Sequence, residues 1–160
     1  MATFLLYWNP HFSSYKIDRF LRDFNFPEGK DVLTDADDWD RSPDFFNWSI
    51  ADYEKAKRGD RFFFVRVGFE KPTGLIGTGR FTSDPYEGED WSGQGREVYY
   101  MDMHWDSVIK PTSNKILKTS KLIESIPEVM WSKGKAGVEV APEVAEKIEA
   151  LWAKHLEEVK

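Results

Sequence analysis

Three consecutive segments with the composition of β-strands constrain the fold of this chain most strongly. They are "RFFFVRV" at 61–67, "LIGTGRFTS" at 75–83 and "EVYYMDMHW" at 97–105, and their aromatic and β-branched residues favour strands. Because only short or medium links separate them, we expect an antiparallel meander. Glycines within and beside the middle segment predict bulges, and a curved sheet with such bulges tends to close into a small barrel.

The rest of the chain is predicted to add further strands and helices around this meander. Residues 25–47 form a long acidic segment without clear periodicity, and loops of this length are often functional. We therefore expect one α+β domain over residues 1–160. The predicted elements are a strand at Ala2–Trp8, a helix capped by Ser13 or Ser14, a short helix capped by Ser49, a short helix at Lys115–Ile126, a strand at 137–140 and a final helix that begins at Pro142.

The residue types exclude several classes of site. The chain has no cysteine and only three histidines, so disulfides, cysteine-based metal centres and thiol catalysis are excluded. No pattern of residues points to a metal ion or a cofactor. No apolar run approaches the roughly 20 residues that span a bilayer, and the first residues lack the basic start of a signal peptide. We expect a cytoplasmic protein with no membrane partner.

Charge is distributed unevenly along the chain. The net charge of −6 argues against strong non-specific binding to nucleic acid, which requires many Lys and Arg side chains facing phosphates. However, residues 31–44 hold six acidic residues and one basic residue, whereas residues 110–135 hold six lysines and two glutamates. Two interpretations remain open, either two solvated surfaces or an acidic loop and a basic binding stretch.

Motifs typical of enzymes are weak in this sequence. "GLIGTGRF" contains the spacing GxxGxG, but it lies within a predicted strand and no helix follows it, whereas a phosphate-binding loop leads into a helix. The glycines therefore indicate strand curvature. His11, Ser13, Ser14 and His104 are the residue types of hydrolytic catalysis, but no spacing pattern joins them. We expect no catalytic residues.

The aromatic residues give the strongest remaining signal. They make up 16% of the chain and include seven tryptophans. A tryptophan at the end of a strand or helix commonly covers the core, but several at the same end of a barrel could form a cage around a flat ring. Stacking of a base on an aromatic side chain contributes roughly 1–3 kcal/mol. Five tryptophans are predicted at the ends of elements or in loops, namely Trp8, Trp48, Trp91, Trp105 and Trp131.

Several short segments together resemble the EVE domain and its PUA-like relatives, in the branch found in bacterial defence and modification-dependent restriction systems. The segments are "FLLYWNP", "NWSI", "KRGDRFFFVRVG", "PTGLIGTGRFTS", "VYYMDMHWD" and "MWSKGKAGVEV" followed by "IEALW". The resemblance implies a PUA-like antiparallel β pseudo-barrel with flanking helices. It also implies a YTH-like aromatic cage that holds a modified base, flipped out of the duplex in the DNA readers of this type.

The resemblance assigns site residues by their position in these segments. The late "SG" of the family is "SKG" here, and "FNWSI" replaces another family segment. The residues implied to bind the base are Trp8, Asn9, Trp48, Ser49, Trp91, Trp131, Ser132, Lys133 and Gly134. The residues expected to contact the nucleic-acid backbone are Lys110, Lys115, Lys118 and Lys121.

Three hypotheses for function follow from the sequence. The first is a module that recognises a modified, flipped-out base, in DNA rather than RNA. The second is a protein–protein interaction or assembly module on the same barrel, which the acidic charge favours. The third is an enzyme acting on a small molecule, for which Asp102, His104 and Asp106 are the candidate groups. We expect a binding module that is not an enzyme.

Overall fold

The strands and helices of the chain follow its hydrophobic pattern closely. The computed structural model describes residues 1–34, 46–90, 93–134 and 137–160, and these contain nine strands and three α-helices. The elements in chain order are β1 (Thr3–Trp8), α1 (Ile17–Phe24), β2 (Val32–Thr34), β3 (Asn47–Ser49), β4 (Arg61–Arg66), β5 (Gly74–Phe81), β6 (Tyr86–Gly88), β7 (Val98–Ile109), β8 (Leu117–Lys118), α2 (Thr119–Ser125), β9 (Val138–Val140) and α3 (Pro142–Val159).

The described strands form one mixed sheet built around the predicted meander. The main path runs β2-β7-β5-β4-β1-β9, while β3 and β6 pair with β7 and β8 pairs with β5. Strands β4, β5 and β7 are antiparallel neighbours, which confirms the meander. Strand β1 runs parallel to β4. The fold is therefore α+β with a pseudo-barrel sheet, as the sequence predicted.

Irregular pairing of β5 curves the sheet. The register shifts between Phe64 and Val65 on β4 and between Thr78 and Gly79 on β5, and bulges of this kind increase local twist. Gly77 lies against the indole of Trp105, so that a Cβ atom at this position would overlap the ring. The strand glycines thus serve curvature and close packing, as the sequence analysis expected.

An aromatic core fills the space between the sheet and α1. Trp105 makes edge-to-face contacts with Phe20, Phe24 and Phe62 at centroid distances between 5.0 and 6.1 Å. Fully burying one such side chain contributes about 1.5–3 kcal/mol. This cluster fixes α1 against the sheet, and it thereby fixes the loop between β1 and α1.

The "GDR" segment forms a buried hydrogen-bonded turn. The carboxylate of Asp60 is buried and accepts hydrogen bonds from the backbone N–H groups of Ala2, at 3.0 Å, and Lys57, at 2.9 Å. The next residue, Arg61, donates to Glu149 of α3 at 3.1 Å. This segment therefore joins the start of β1, the start of β4 and the final helix.

Two of the predicted helix starts are wrong. Helix α1 begins at Ile17 after Lys16 and has no side-chain cap, because the Ser13 hydroxyl accepts instead from the backbone N–H of Tyr15 at 3.0 Å. Ser49 lies in β3 rather than at a helix start. Only a single 3₁₀ turn, Tyr53–Lys55, forms in the segment predicted as a short helix, since pairing with β7 takes up the residues before it.

Three short strands depart from the sequence prediction. Strand β2 lies inside the predicted acidic loop and pairs with the end of β7, whereas residues 35–45 of that loop lie outside the described residues. Strand β6 also pairs with β7. Strand β8 takes up the first part of the helix predicted at 115–126, and α2 takes up the second. These strands have only two or three residues, which is too short to show an alternation of apolar residues.

Candidate nucleic-acid interface

Two neighbouring cavities open beside Trp48, and we call them together the Trp48 cleft. The smaller has a volume of about 360 Å³ and the larger about 590 Å³. Ser14, Tyr15 and Trp48 line both cavities. The smaller is also lined by Arg19, Asp23, Phe46 and Asn47. The larger is also lined by Phe12, Ser13, Lys16, Ser49, Asp90, Gln94, Arg96, Val98 and Tyr100.

Three aromatic side chains form the apolar wall of the smaller cavity. Phe46 and Trp48 are two residues apart and point to the same face of the strand, and their rings are nearly parallel with centroids 6.2 Å apart. The Tyr15 ring meets the Trp48 ring edge-on at 5.9 Å. Phe64 of β4 packs on Trp48 from within at 4.9 Å. Only 4–9% of the surface of Tyr15, Phe46 and Trp48 is exposed. The wall is therefore the rigid edge of the core, and it offers a small part of each ring to the cavity.

Tyr15 is fixed at its backbone and at its hydroxyl. Its carbonyl oxygen accepts a hydrogen bond from the indole Nε1 of Trp8 at 2.8 Å, and its hydroxyl donates to Asp23 Oδ2 at 2.8 Å. Burial, together with the neighbouring Asp23 carboxylate, raises the pKa of Tyr15 well above its usual value. The hydroxyl therefore stays protonated throughout the physiological range and keeps its hydrogen bond.

Cationic side chains lie along the rim of the cleft. The guanidinium of Arg19 lies 5.7 Å above the Tyr15 ring, and its Nε is 4.0 Å from Asp23 Oδ2. Arg96 Nε lies 3.3 Å from Asp90 Oδ2. The Lys16 ammonium donates to the carbonyl oxygen of His11 at 2.9 Å. Three cations and two carboxylates thus surround the cleft, in a chain whose net charge is −6.

A chain of hydrogen bonds orients the amide of Asn47. Its Nδ2 donates to the hydroxyl of Tyr86 at 2.9 Å, and that hydroxyl donates to Asp102 Oδ1 at 2.6 Å. Burial and the Asp102 carboxylate raise the pKa of Tyr86, although the contact with Asn47 opposes the shift. This bond engages one of the two N–H groups of the amide, and it holds the side chain beside Asp102, on the face of the strand opposite to Phe46 and Trp48.

The structure brings only two of the sequence-predicted base-binding residues into the Trp48 cleft. Trp48 lines both cavities and Ser49 lines the larger one. Trp8 has no exposed surface and lies in the core, where its indole holds the Tyr15 backbone. Trp131 is also buried, and its indole donates to the carbonyl oxygen of Ile126 at 2.9 Å. Both tryptophans are therefore core residues rather than pocket walls.

The other predicted base-binding residues lie away from the described cavity walls. Asn9 is in the turn after β1, where its side chain accepts from the backbone N–H of His11. Gly134 lies against the ring of Tyr7. Ser132 and Lys133 are exposed beside it. Trp91 lies outside the described residues.

Three of the four predicted backbone-binding lysines line other cavities. Lys118 and Lys121 lie in a separate groove of about 500 Å³ between α2 and α3, together with Lys154. Lys115 lines a small cavity next to Lys30. Lys110 is half-buried. None of the four is among the described residues that line the Trp48 cleft, so their role in backbone contact stays a prediction.

Most of the residues that line the cleft cannot be recognised from the sequence. Tyr15 directly follows the predicted helix cap at Ser13 or Ser14, and nothing in the local pattern shows that it lies beside Trp48. Phe46 could have been found from its spacing of two residues before Trp48 in a strand. Among the others, Phe12, Lys16 and Arg19 belong to one segment and Arg96 and Tyr100 to another, and only the topology brings the two segments together.

The candidate catalytic groups lie on the outer face of β7. His104 Nε2 is 3.9 Å from Asp106 Oδ1, which is 3.5 Å from Arg80 Nη1. Asp102 accepts a hydrogen bond from the hydroxyl of Tyr86.

In the part of the chain that the structure describes, no group of three or more His, Asp or Glu side chains is arranged to hold a metal ion. Among the described helices, none combines the length and the hydropathy that a membrane span requires.

Comparison with known proteins identifies the fold. No protein-family model and no curated protein matches the sequence. The structure is similar to the Mmi1 YTH domain, with 12% identity, a TM-score of 0.54 and 99% of each chain covered. It is similar to a protein of Pseudomonas syringae, with 16% identity, a TM-score of 0.54, and 94% of this chain and 99% of that one covered. It is also similar to the Mmi1 YTH domain solved in complex with RNA, with 12% identity, a TM-score of 0.50, and 98% of this chain and 80% of that one covered.

These similarities extend over almost the whole chain. They show a YTH-like fold and confirm the α+β pseudo-barrel architecture that the sequence resemblance implied. The narrower assignment to the EVE domain stays a prediction, since no family model matches.

Proposed function

We propose that this domain is a binding module for single-stranded nucleic acid and that it holds one methylated base in the Trp48 cleft. The observation that carries the proposal is the smaller cavity of about 360 Å³, walled by Tyr15, Phe46 and Trp48. Rigid aromatic walls favour a flat ring, because stacking contributes roughly 1–3 kcal/mol per base. The cations Lys16 and Arg19 on the rim are suited to the adjoining phosphates.

The walls of the smaller cavity also favour a methylated base over an unmodified one. A methyl group on the ring held there would contact Phe46 and Trp48, and burying one such group contributes about 0.8 kcal/mol. This corresponds to about a fourfold gain in affinity. The amide of Asn47 does not select the base, because it points to the opposite face of the strand and bonds to Tyr86 beside Asp102.

The type of nucleic acid is a separate question. The resemblance in sequence favoured DNA, whereas the Mmi1 YTH domain, which has a similar fold, has been solved in complex with RNA. We therefore propose RNA ahead of DNA. In both, the base must be unpaired or flipped out to reach a cavity of this kind.

The proposal assigns no catalytic step to the domain. His104 and Asp106 form a surface group with Arg80, and the Asp102 carboxylate accepts from Tyr86. These contacts support a structural role, which leaves binding as the function of the Trp48 cleft.

Fluorescence anisotropy tests this proposal with nine-nucleotide uridine oligonucleotides that carry one central adenine or N6-methyladenine, as RNA and as DNA. We expect the methylated RNA to bind most tightly and Trp48→Ala to weaken its binding at least tenfold. Ile123→Ala, at an exposed position on α2, is the control and should bind as wild type. Thermal unfolding must show that both variants are folded. If Trp48→Ala is not folded, Trp48→Phe takes its place. Equal binding by wild type and the folded Trp48 variant would overturn the proposal.

A second candidate function is protein–protein binding. The net charge of −6 and the exposed rings of Phe12 and Phe69 favour it. It predicts a dimer in light scattering that buries Trp48, together with no affinity for any of the oligonucleotides.

A further inference from the structure

Two phenylalanines that are far apart in sequence expose their rings side by side. Phe12, in the β1–α1 loop, is 77% exposed, and Phe69, in the β4–β5 loop, is 66% exposed. The imidazole of His11 lies between them and meets each ring edge-on at a centroid distance of 4.8 Å. We call these three residues the aromatic lip. Contiguous exposed apolar patches, unlike single exposed side chains, are typical of binding surfaces.

The loop that carries Phe12 is ordered by its own hydrogen bonds. The carbonyl oxygen of Asn9 accepts from the backbone N–H groups of Phe12, at 3.1 Å, and Ser13, at 2.9 Å. The side chain of Asn9 lies against Gly68, where a Cβ atom would overlap the amide. Since the lip is already ordered in this way, a ligand that binds there loses little affinity to loop ordering.

The aromatic lip is continuous with the Trp48 cleft. Phe12 lines the larger cavity together with Trp48, so one open space of about 590 Å³ joins the two. The exposed charges of the lip and its approach are the cations Lys16, Arg19 and Lys71 and the carboxylates of Asp18 and Glu70, the last 3.4 Å from His11 Nδ1. A ligand that continues from the cleft onto the lip therefore meets exposed rings after passing Lys16, an arrangement that suits a base followed by phosphate.

We propose that the aromatic lip stacks the base of the nucleotide next to the one held in the Trp48 cleft. The inference rests on the proposed function and extends it, since the cleft then reads two consecutive nucleotides instead of one. Phe12 provides the stacking face, Phe69 forms the outer wall, and His11 positions both rings. Stacking on the lip is independent of base identity because every base has a π-face, so the lip contributes affinity while the cleft contributes selectivity.

A cycle of protein and RNA changes tests the inference. The probe is a nine-nucleotide uridine RNA with a central N6-methyladenosine, and two further RNAs have an abasic site on one or the other side of that nucleotide. We expect Phe12→Ala to weaken binding of the intact RNA by about fivefold to a hundredfold, and one of the two abasic RNAs to show the same loss. Phe12→Ala should then cause no additional loss with that abasic RNA, because the stacking partner is already missing. Ile123→Ala is the control for removal of an exposed apolar side chain.

The outcomes separate the lip from the cleft. If the intact RNA binds wild type and Phe12→Ala binds it equally well, the lip inference is wrong while the proposed function stands. If the losses from Phe12→Ala and from each abasic site simply add, Phe12 does not stack a neighbouring base. If wild type binds no RNA and instead self-associates in a manner that Phe12→Ala abolishes, both the lip inference and the proposed function are wrong.

Discussion

The ring of Tyr15 lies 5.9 Å from the ring of Trp48 and its backbone carbonyl accepts the indole N–H of Trp8. Tyr15 therefore connects a tryptophan with no exposed surface to one that is 8% exposed and lines a cavity. The sequence suggested that Trp8 and Trp48 line the same pocket. Only Trp48 lines the cavity, whereas Trp8 holds the backbone of Tyr15 from within the core.

The two tryptophans should respond differently to the same substitution. Trp8→Phe removes a buried hydrogen bond and ring volume, so we expect it to lower the free energy of unfolding by about 1–3 kcal/mol with little change in RNA affinity. Trp48→Phe should weaken RNA binding with a smaller loss of stability. Urea unfolding and anisotropy titration of both variants measure this. A binding loss from Trp8→Phe equal to that from Trp48→Phe, at matched stability, would contradict the assignment.

Tyr15 should make stability depend on alkaline pH. Its pKa is raised above the ordinary value of 10.0 by burial and by Asp23, so the unfolded state ionises first. The stabilisation is fully present below pH 10 and is lost as the pH rises above it. We expect Tyr15→Phe to be less stable than wild type at pH 8, by about 1–3 kcal/mol for the lost hydrogen bond to Asp23, and this gap to narrow at pH 11. A stability difference between wild type and Tyr15→Phe that is the same at pH 8 and pH 11 would show that the pKa of Tyr15 is equal in the folded and unfolded states.

The turn at Asp60 should contribute strongly to stability. Asp60→Ala removes the acceptor of two hydrogen bonds, from the backbone N–H groups of Ala2 and Lys57. We expect the free energy of unfolding to fall by about 2–4 kcal/mol. Asp84 is a matched control, because it accepts one exposed hydrogen bond from the Arg58 backbone and its removal should cost less than about 1 kcal/mol. Thermal or urea unfolding compares them. Equal losses from the two substitutions would rule out a special role for the buried turn.

Much of this architecture could be predicted from the sequence because it depends on local patterns. The meander of β4, β5 and β7 follows from β-forming runs with short links, and α3 begins at Pro142 as its composition indicates. The start of α1 could not be predicted, because the Ser13 hydroxyl makes a local turn contact instead of capping the helix. A serine that caps a helix and one that closes a local turn each make about one hydrogen bond to the backbone, so the two structures have similar energies and a single sequence does not decide between them.

The site was harder to predict than the fold because its residues come from four segments. Trp48 was found because it belongs to a segment that resembles a family. Arg19 and Arg96 were not found, since each is an ordinary surface arginine within its own segment. Both arginines reach the Trp48 cleft because α1 and the loop before β7 lie on either side of β3.

Arg19 should contribute to affinity through charge. If it contacts one phosphate, Arg19→Gln should weaken binding of all single-stranded RNAs by a similar factor and reduce the slope of log K against log salt by about 0.7. Arg22→Gln is the matched control, since Arg22 lies one turn further along α1 and is not among the described residues lining the cleft. Titrations between low and moderate salt measure both slopes. The same change of slope in both variants would show that the effect comes from the lower net positive charge of α1 and not from a phosphate contact of Arg19.

The indole N–H signals of ¹⁵N-labelled protein test the position of the bound base most directly. On titration with the N6-methyladenosine RNA, we predict a large shift for Trp48, assigned from Trp48→Phe, and small shifts for the buried Trp105 and Trp131. RNA binding that leaves the Trp48 signal in place, with backbone shifts confined to the lysine groove between α2 and α3, would contradict the proposed site.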